Sequence, residues 1–73
     1  MEDEPRKLLR IGEVARLSGV PVKTVRFYSD RGLLPVAERT SGGYRLYDEE
    51  ALARLELVRA LRELGVGLDA IER

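Results

Sequence analysis

The 73-residue chain contains neither cysteine nor histidine. Without cysteine it can form no disulfide and no thiolate metal site, and without histidine it lacks the commonest general base and zinc ligand. No stretch free of charged residues exceeds six positions, which excludes a membrane span and the apolar core of a signal peptide. We therefore expect one small soluble domain, cytoplasmic, with no metal and no cofactor.

Catalytic patterns are also missing. The three serines, Ser18, Ser29 and Ser41, have no histidine to activate them, and no glycine pattern matches a phosphate loop. The adjacent carboxylates of Glu49 and Glu50 stand where a helix is predicted to start, and helix capping accounts for them fully. The sequence predicts a protein that is not an enzyme.

Charge is balanced overall but unevenly distributed along the chain. Residues 21–47 carry five basic and two acidic side chains, a net charge of +3, whereas residues 48–73 carry four basic and seven acidic ones, a net charge of −3. A basic middle segment is a local footprint of the kind that binds phosphate, although charge runs of this size are usually solvated faces.

Apolar periodicity and helix-stopping glycines predict four helices. Residues 1–7 are polar and predicted to form a flexible tail, and residues 8–73 a single domain. The predicted helices cover residues 11–18, 21–31, 49–64 and 68–73, with Asp48 as the N-cap of the third. The first two are separated by only Gly19 and Val20, which is the helix-turn-helix pattern.

The stretch RTSGGYRLY, residues 39–47, predicts a β-hairpin with its turn at residues 41–43. Alternation sends Tyr44 and Leu46 to one side and Arg45 and Tyr47 to the other. Leu46 is expected in the core, and Tyr47 is a second candidate for it. Two strands alone are marginal in water, so the hairpin must pack against the helices or a partner.

The second helix has two contrasting sides. One holds Val22, Val25 and Ser29, with Leu33 just beyond, and is predicted to face the core. The other holds Lys23, Arg26, Phe27 and Asp30. Arginine and lysine read guanine edges in the major groove of DNA, and apolar groups contact the thymine methyl. The alternative is that Phe27 packs beneath a neighbouring element while the cations are solvated.

Five short motifs stand in the order and spacing of one family. They are Ile11-Gly-Glu-Val-Ala15, Val25-Arg-Phe-Tyr28, Gly32-Leu-Leu34, Gly43-Tyr-Arg-Leu-Tyr47 and Leu64-Gly65. In these motifs the chain resembles the MerR family of transcription regulators from Leu9 to Arg73. The resemblance implies a winged helix-turn-helix fold, mainly α with a two-stranded wing. It also implies a bacterial regulator that binds a palindromic promoter element as a dimer and acts on RNA polymerase by distorting the DNA.

The resemblance also implies DNA-binding residues. On the recognition helix they are Lys23, Thr24, Arg26, Phe27 and Tyr28; on the wing, Tyr44 and Arg45; and on a second wing built from the third and fourth helices, Arg59 and Arg62. No cofactor-binding, metal-binding or catalytic residue is implied. Pro21 and Gly67 replace the capping serines that family members often have at those two helix starts.

Family members continue into a long helix that pairs with its twin, followed by an effector-sensing part, and this chain contains neither. We therefore expect a fragment that is a monomer, although the full-length parent would be a homodimer. The partner is predicted to be double-stranded promoter DNA, with RNA polymerase reached only through the DNA.

Two alternatives remain: a winged-helix protein-interaction module that uses Phe27 and Tyr44, and an excisionase-like architectural DNA binder. The chain has no asparagine or glutamine for bidentate adenine contacts, so direct readout is expected only at guanine, through Arg26 or Lys23, and at thymine methyls, through Phe27. Other sequence preferences would come from DNA shape.

Overall fold

The computed structural model describes residues 7–72 and contains four helices and one two-stranded antiparallel sheet. The elements are α1 (Ile11–Ser18), α2 (Val22–Asp30), β1 (Glu38–Arg39), β2 (Arg45–Leu46), α3 (Glu49–Glu63) and α4 (Leu68–Ile71). This confirms the predicted fold class, four helices with a two-stranded wing. The predicted flexible tail lies almost entirely outside the described residues.

Helices α1 and α2 form the helix-turn-helix. At the start of α1 the Glu13 carboxylate accepts a hydrogen bond from the Arg10 backbone N–H at 3.0 Å. Helix α1 ends at Gly19, whose N–H donates to the Ala15 carbonyl at 2.9 Å. Pro21 is the N-cap of α2 and supplies no side-chain hydrogen bond. Helix α2 is therefore one residue shorter at each end than predicted, because Pro21 and Arg31 are its caps.

Gly32 ends helix α2 and redirects the chain. Its φ of 80° lies in the left-handed region, which is strained for residues with a Cβ. The Leu33 N–H donates to the Tyr28 carbonyl, and the Gly32 N–H to the Ser29 carbonyl, both at 3.0 Å. These two bonds form a Schellman motif, which satisfies carbonyls that the helix end would leave unpaired. The turn directs Leu33 and Leu34 into the core.

The wing is a short hairpin extended by a third segment. Its strands pair Glu38 with Leu46 and Arg39 with Arg45. The sequence did not predict that Leu9, just before α1, pairs with Tyr47. Their backbones exchange hydrogen bonds of 2.7 and 2.8 Å. This pairing attaches the wing to the helical part of the domain. A free two-stranded hairpin would lack this attachment and would be only marginally stable.

Helix α3 begins at the predicted cap, since the Asp48 carboxylate accepts a hydrogen bond from the Glu50 N–H at 3.0 Å. Gly67 caps the short helix α4 without a side-chain hydrogen bond, and Arg73, predicted to end it, lies outside the described residues. Among residues 7–72, no helix has the length and apolar character needed to cross a bilayer.

The core is formed by the inner faces of α1, α2 and α3 together with the wing. Its buried apolar residues are Leu9, Val14, Ala15, Val20, Val25, Leu33, Leu34, Tyr47, Ala51, Leu55 and Val58. Two expectations need correction. Tyr47 is fully buried while Leu46 is only half-buried, because the Tyr47 side chain reaches α2, where its hydroxyl lies 2.7 Å from that of Ser29. Val22 lies in the first turn of α2 and is 37% exposed, since the core is reached only at Val25 and beyond.

The first prediction concerns the contribution of α3 to stability. Leu55 is fully buried, whereas Leu57 on the same helix is 53% exposed. Leu55→Ala should lower the free energy of unfolding by about 2–5 kcal/mol, since it removes apolar contacts and leaves a cavity. Leu57→Ala, the matched control, should change it by less than about 0.5 kcal/mol. Urea unfolding followed by circular dichroism measures both, and equal losses would contradict this packing of α3.

Candidate nucleic-acid interface

Helix α2 presents the two contrasting sides that its sequence predicted. Val25 and Ser29 are buried against the core, while Lys23, Arg26 and Phe27 are exposed. Thr24, between the two sides, is half-buried. The exposed side therefore offers two cations and an aromatic ring to a partner.

The aromatic pair Phe27–Tyr28 is divided between the two sides of α2. Phe27 is 44% exposed, and the Arg31 guanidinium lies 5.4 Å from its ring centroid. Tyr28 is half-buried and packs against the core, with its ring 6.0 Å from that of Phe27. Phe27 thus does not pack beneath a neighbouring element, and of the two rings it is the one available for contact.

Four polar side chains connect α2 to the wing. The hydroxyls of Ser29 and Tyr47 are 2.7 Å apart, and both residues are buried. Arg45 donates from Nη1 to the Ser29 hydroxyl at 3.2 Å and to the Asp30 carboxylate at 2.7 Å. We call Ser29, Asp30, Arg45 and Tyr47 the wing brace. The Ser29–Tyr47 bond is buried, Arg45 and Asp30 continue the network to the surface, and together they favour one relative orientation of α2 and the wing.

The wing brace changes the interpretation of Arg45. Its side chain is 32% exposed and ion-paired, so Arg45 is not a fully solvated charge on a strand. The carboxylate of Asp30, followed by the hydroxyl of Tyr47, raises the pKa of Arg45 further above its ordinary value. Since Nη1 bonds to α2 and a guanidinium has five N–H donors, the others can still bind an anion beside the wing.

The wing tip is closed by its own turn. The Thr40 N–H donates to the Tyr44 carbonyl and the Gly43 N–H to the Thr40 carbonyl, each at 2.8 Å. Gly43 has a φ of 88°, so this turn requires a residue that tolerates the left-handed region. Tyr44 is 67% exposed at the tip. The turn thus holds an aromatic side chain in solvent at the tip of the wing.

A groove of about 690 Å³ separates the first turn of α1 from the wing. It is lined by Arg10, Arg26, Arg39, Arg45, Tyr44 and Glu13, among others. Three residues predicted to bind DNA, Arg26, Tyr44 and Arg45, are thus brought together. Sequence reasoning missed Arg10 and gave Arg39 no role. The position of Arg39 opposite Arg45 in the hairpin could have pointed to this groove, whereas no sequence pattern around Arg10 could have done so.

The two arginines predicted for a second wing lie on α3 and do not line this groove. Arg59 pairs with Glu56 at 2.9 Å, which raises the pKa of Arg59. Arg62 donates to the Val66 carbonyl at 3.2 Å. Arg59 thus pairs within α3, Arg62 bonds to the turn after it, and both residues are exposed.

A further ion pair joins the end of α2 to α4. Arg31 pairs with Glu72, 41 residues away in sequence. The Arg31 guanidinium lowers the pKa of Glu72. The pair therefore stabilises the folded state fully above the ordinary pKa of a glutamate, and this stabilisation is lost as the pH falls through the lowered pKa of Glu72. The pair links α4 to the C-terminal end of α2.

The chain is similar in sequence to known bacterial proteins. The chain is 50% identical over 68 residues to the nodulation protein NolA of Bradyrhizobium sp. (strain NC92), covering 93% of this chain and 29% of NolA. It is 42% identical over 64 residues to the mercuric resistance operon regulatory protein of Bacillus cereus, covering 88% of this chain and 48% of that protein.

A solved structure is similar over most of the chain. It is the crystal structure of HiNmlR, described as a MerR family regulator lacking the sensor domain and bound to promoter DNA. HiNmlR is 31% identical to this chain with a TM-score of 0.83, covering 92% of this chain and 53% of HiNmlR. The chain thus spans about half, or less, of the proteins it matches. The profile of the MerR HTH family of regulatory proteins matches residues 9–73, and the chain belongs to that family.

Proposed function

We propose that residues 8–73 are the DNA-binding domain of a MerR-family transcription regulator, with α2 in the major groove of promoter DNA and the wing on the backbone. The observation that carries the proposal is the wing brace, which holds the exposed cationic side of α2 and the wing arginines in one fixed orientation. A helix that reads bases and a neighbouring element that grips phosphates need such a fixed relation. HiNmlR, which is similar over 92% of this chain, was crystallised on promoter DNA.

Each side chain of the proposed interface has a chemical role. Arg26 or Lys23 reads guanine edges, and the exposed part of Phe27 contacts a thymine methyl. Thr24 and Tyr28, both half-buried, contribute hydroxyls at the edge of the interface. Tyr44 and Arg45 contact phosphates from the wing, and Arg59 and Arg62 contact more distant phosphates from the second wing. The remaining sequence preference comes from DNA shape and deformability.

The partners follow from the same proposal. The full-length parent would pair as a homodimer on a palindromic element and act on RNA polymerase through the shape of the DNA, in the cytoplasm. A second candidate function is a protein-interaction module, which the exposure of Phe27 and Tyr44 favours. Salt separates the two functions, because phosphate binding weakens steeply with salt whereas an apolar protein contact barely changes.

The second prediction tests base readout by α2. Selection from random duplexes would first give the preferred half-site. Arg26→Ala should then weaken binding to that half-site by about 1–3 kcal/mol, with a smaller effect on a scrambled duplex, because a bidentate guanine contact is lost. Arg54→Ala, the same charge change at an exposed position of α3, is the control. Equal losses on both duplexes would show that Arg26 contacts only phosphate.

The third prediction tests the wing. Arg45→Ala should weaken binding to specific and scrambled duplexes by similar factors and lower the slope of log affinity against log salt by about one unit, since a phosphate contact is lost. Fluorescence anisotropy at four or more salt concentrations measures both quantities. A loss of affinity with the salt slope of the parent would mean that Arg45 only holds the wing against α2, and binding equal to that of the parent throughout would contradict both roles.

The fourth prediction concerns assembly. The 73-residue chain should be a monomer at micromolar concentration. It should bind a single half-site weakly, because only a dimer links two half-site contacts and so gains from the raised effective concentration of the second. Sedimentation equilibrium with and without a half-site duplex measures the mass. A stable dimer would contradict the prediction and would direct attention to α4 as an interface.

A further inference from the structure

The groove between α1 and the wing contains arginines that none of the assignments above uses. It exists because Leu9 pairs with Tyr47 through two backbone hydrogen bonds of 2.7 and 2.8 Å. The next residue, Arg10, is thereby placed beside the wing, with its guanidinium carbon 6.0 Å from the centroid of the Tyr44 ring. Four arginines from three different parts of the chain line this one groove.

Among residues 7–72, most of the arginines in the groove have no ion-pair partner. Arg45 pairs with Asp30, but Arg10, Arg26 and Arg39 form no ion pair within residues 7–72. The carboxylate that lines the groove, Glu13, accepts the hydrogen bond from the Arg10 backbone N–H at the start of α1. The groove is therefore a concentrated region of positive potential in a chain whose net charge is zero.

The register of the hairpin also favours an anion. Arg39 and Arg45 stand directly opposite each other across the two strands. Like charges in that position destabilise a strand pair, and a bound anion between them would offset the repulsion. Arg39 donates one bond, from Nη1 to the Gly43 carbonyl at 2.8 Å, which leaves its other donors free for an anion.

We propose that this groove binds backbone phosphates of the DNA strand flanking the bases that α2 reads, with Arg10 and Arg39 as the phosphate ligands and Tyr44 beside them. The inference deepens the proposed function and rests on it. A nucleic-acid backbone is the favoured anion because the arginines are spread along an open groove that runs from α1 to the wing tip. A strand with regularly spaced charges can satisfy them together, whereas one small anion cannot.

Single substitutions test the two ligands against a matched control. Arg10→Ala and Arg39→Ala should each lower the affinity for half-site and scrambled duplexes by the same factor, roughly threefold to tenfold, and lower the salt slope by about one unit. Arg54→Ala should leave the slope unchanged or nearly so. The Arg10 backbone N–H remains in the variant, so the bond to Glu13 can persist, and an unchanged urea midpoint would show that the fold is intact.

Replacing single DNA phosphates with an uncharged analogue can locate the phosphate that Arg10 contacts. Half-site duplexes carrying one methylphosphonate at each backbone position in turn would be titrated with the parent and with Arg10→Ala. The proposal expects one or two adjacent positions, outside the bases that α2 contacts, where neutralisation weakens the parent but not the variant. The proposal would be overturned if the protein and DNA changes caused additive losses of binding free energy at every backbone position. It would also be overturned if Arg10→Ala and Arg54→Ala gave equal slopes of log affinity against log salt.

A competition experiment separates the DNA backbone from a small anion. Inorganic phosphate added at constant ionic strength should displace the duplex from the parent no better than sulfate or chloride does. Displacement by phosphate that disappears in Arg10→Ala would mean that the groove is a small-anion site, against the proposal. Failure of the proposed function itself would look different, because the parent would then bind neither duplex in a salt-dependent way.

Discussion

Tyr47 is the residue on which the other parts of the domain depend. Its backbone pairs with Leu9 in both directions, its ring is fully buried, and its hydroxyl lies 2.7 Å from that of Ser29 on α2. The next residue, Asp48, caps α3. Tyr47, through its backbone and its side chain, and Asp48 therefore connect the segment before α1, the second strand of the wing, helix α2 and the start of α3.

This arrangement solves a problem of size. A core of eleven buried apolar side chains is small, and two strands of two residues each cannot hold a hairpin in place. The hairpin is held instead by the buried ring of Tyr47 and by the ion pair between Arg45 and Asp30. An exposed ion pair alone is worth little, but here it adds to a satisfied hydrogen bond beneath it. The wing can thus be small and still have one orientation.

The sequence predicted the parts that local patterns determine. Apolar periodicity and stop signals at Gly19 and Gly32 located the helix-turn-helix, and the Ser41-Gly42-Gly43 turn located the hairpin. What it could not predict depends on contacts between distant residues. Leu9 carries no strand pattern, so its pairing with Tyr47 is visible only once the core is assembled. Alternation correctly put Arg45 and Tyr47 on one side of the wing, but it could not show that this side faces α2.

A net charge of zero is compatible with a DNA-binding surface because of where the carboxylates lie. Several acidic side chains are engaged within the fold: Glu13 and Asp48 accept backbone hydrogen bonds at helix starts, and Glu56 and Glu72 pair with Arg59 and Arg31. Asp30 balances Arg45. Arg10, Arg26 and Arg39 have no such partner among residues 7–72 and line one groove. Since screening confines the field of a charge to about 8–10 Å at ordinary salt, a polyanion at this groove encounters the local arginines rather than the neutral whole.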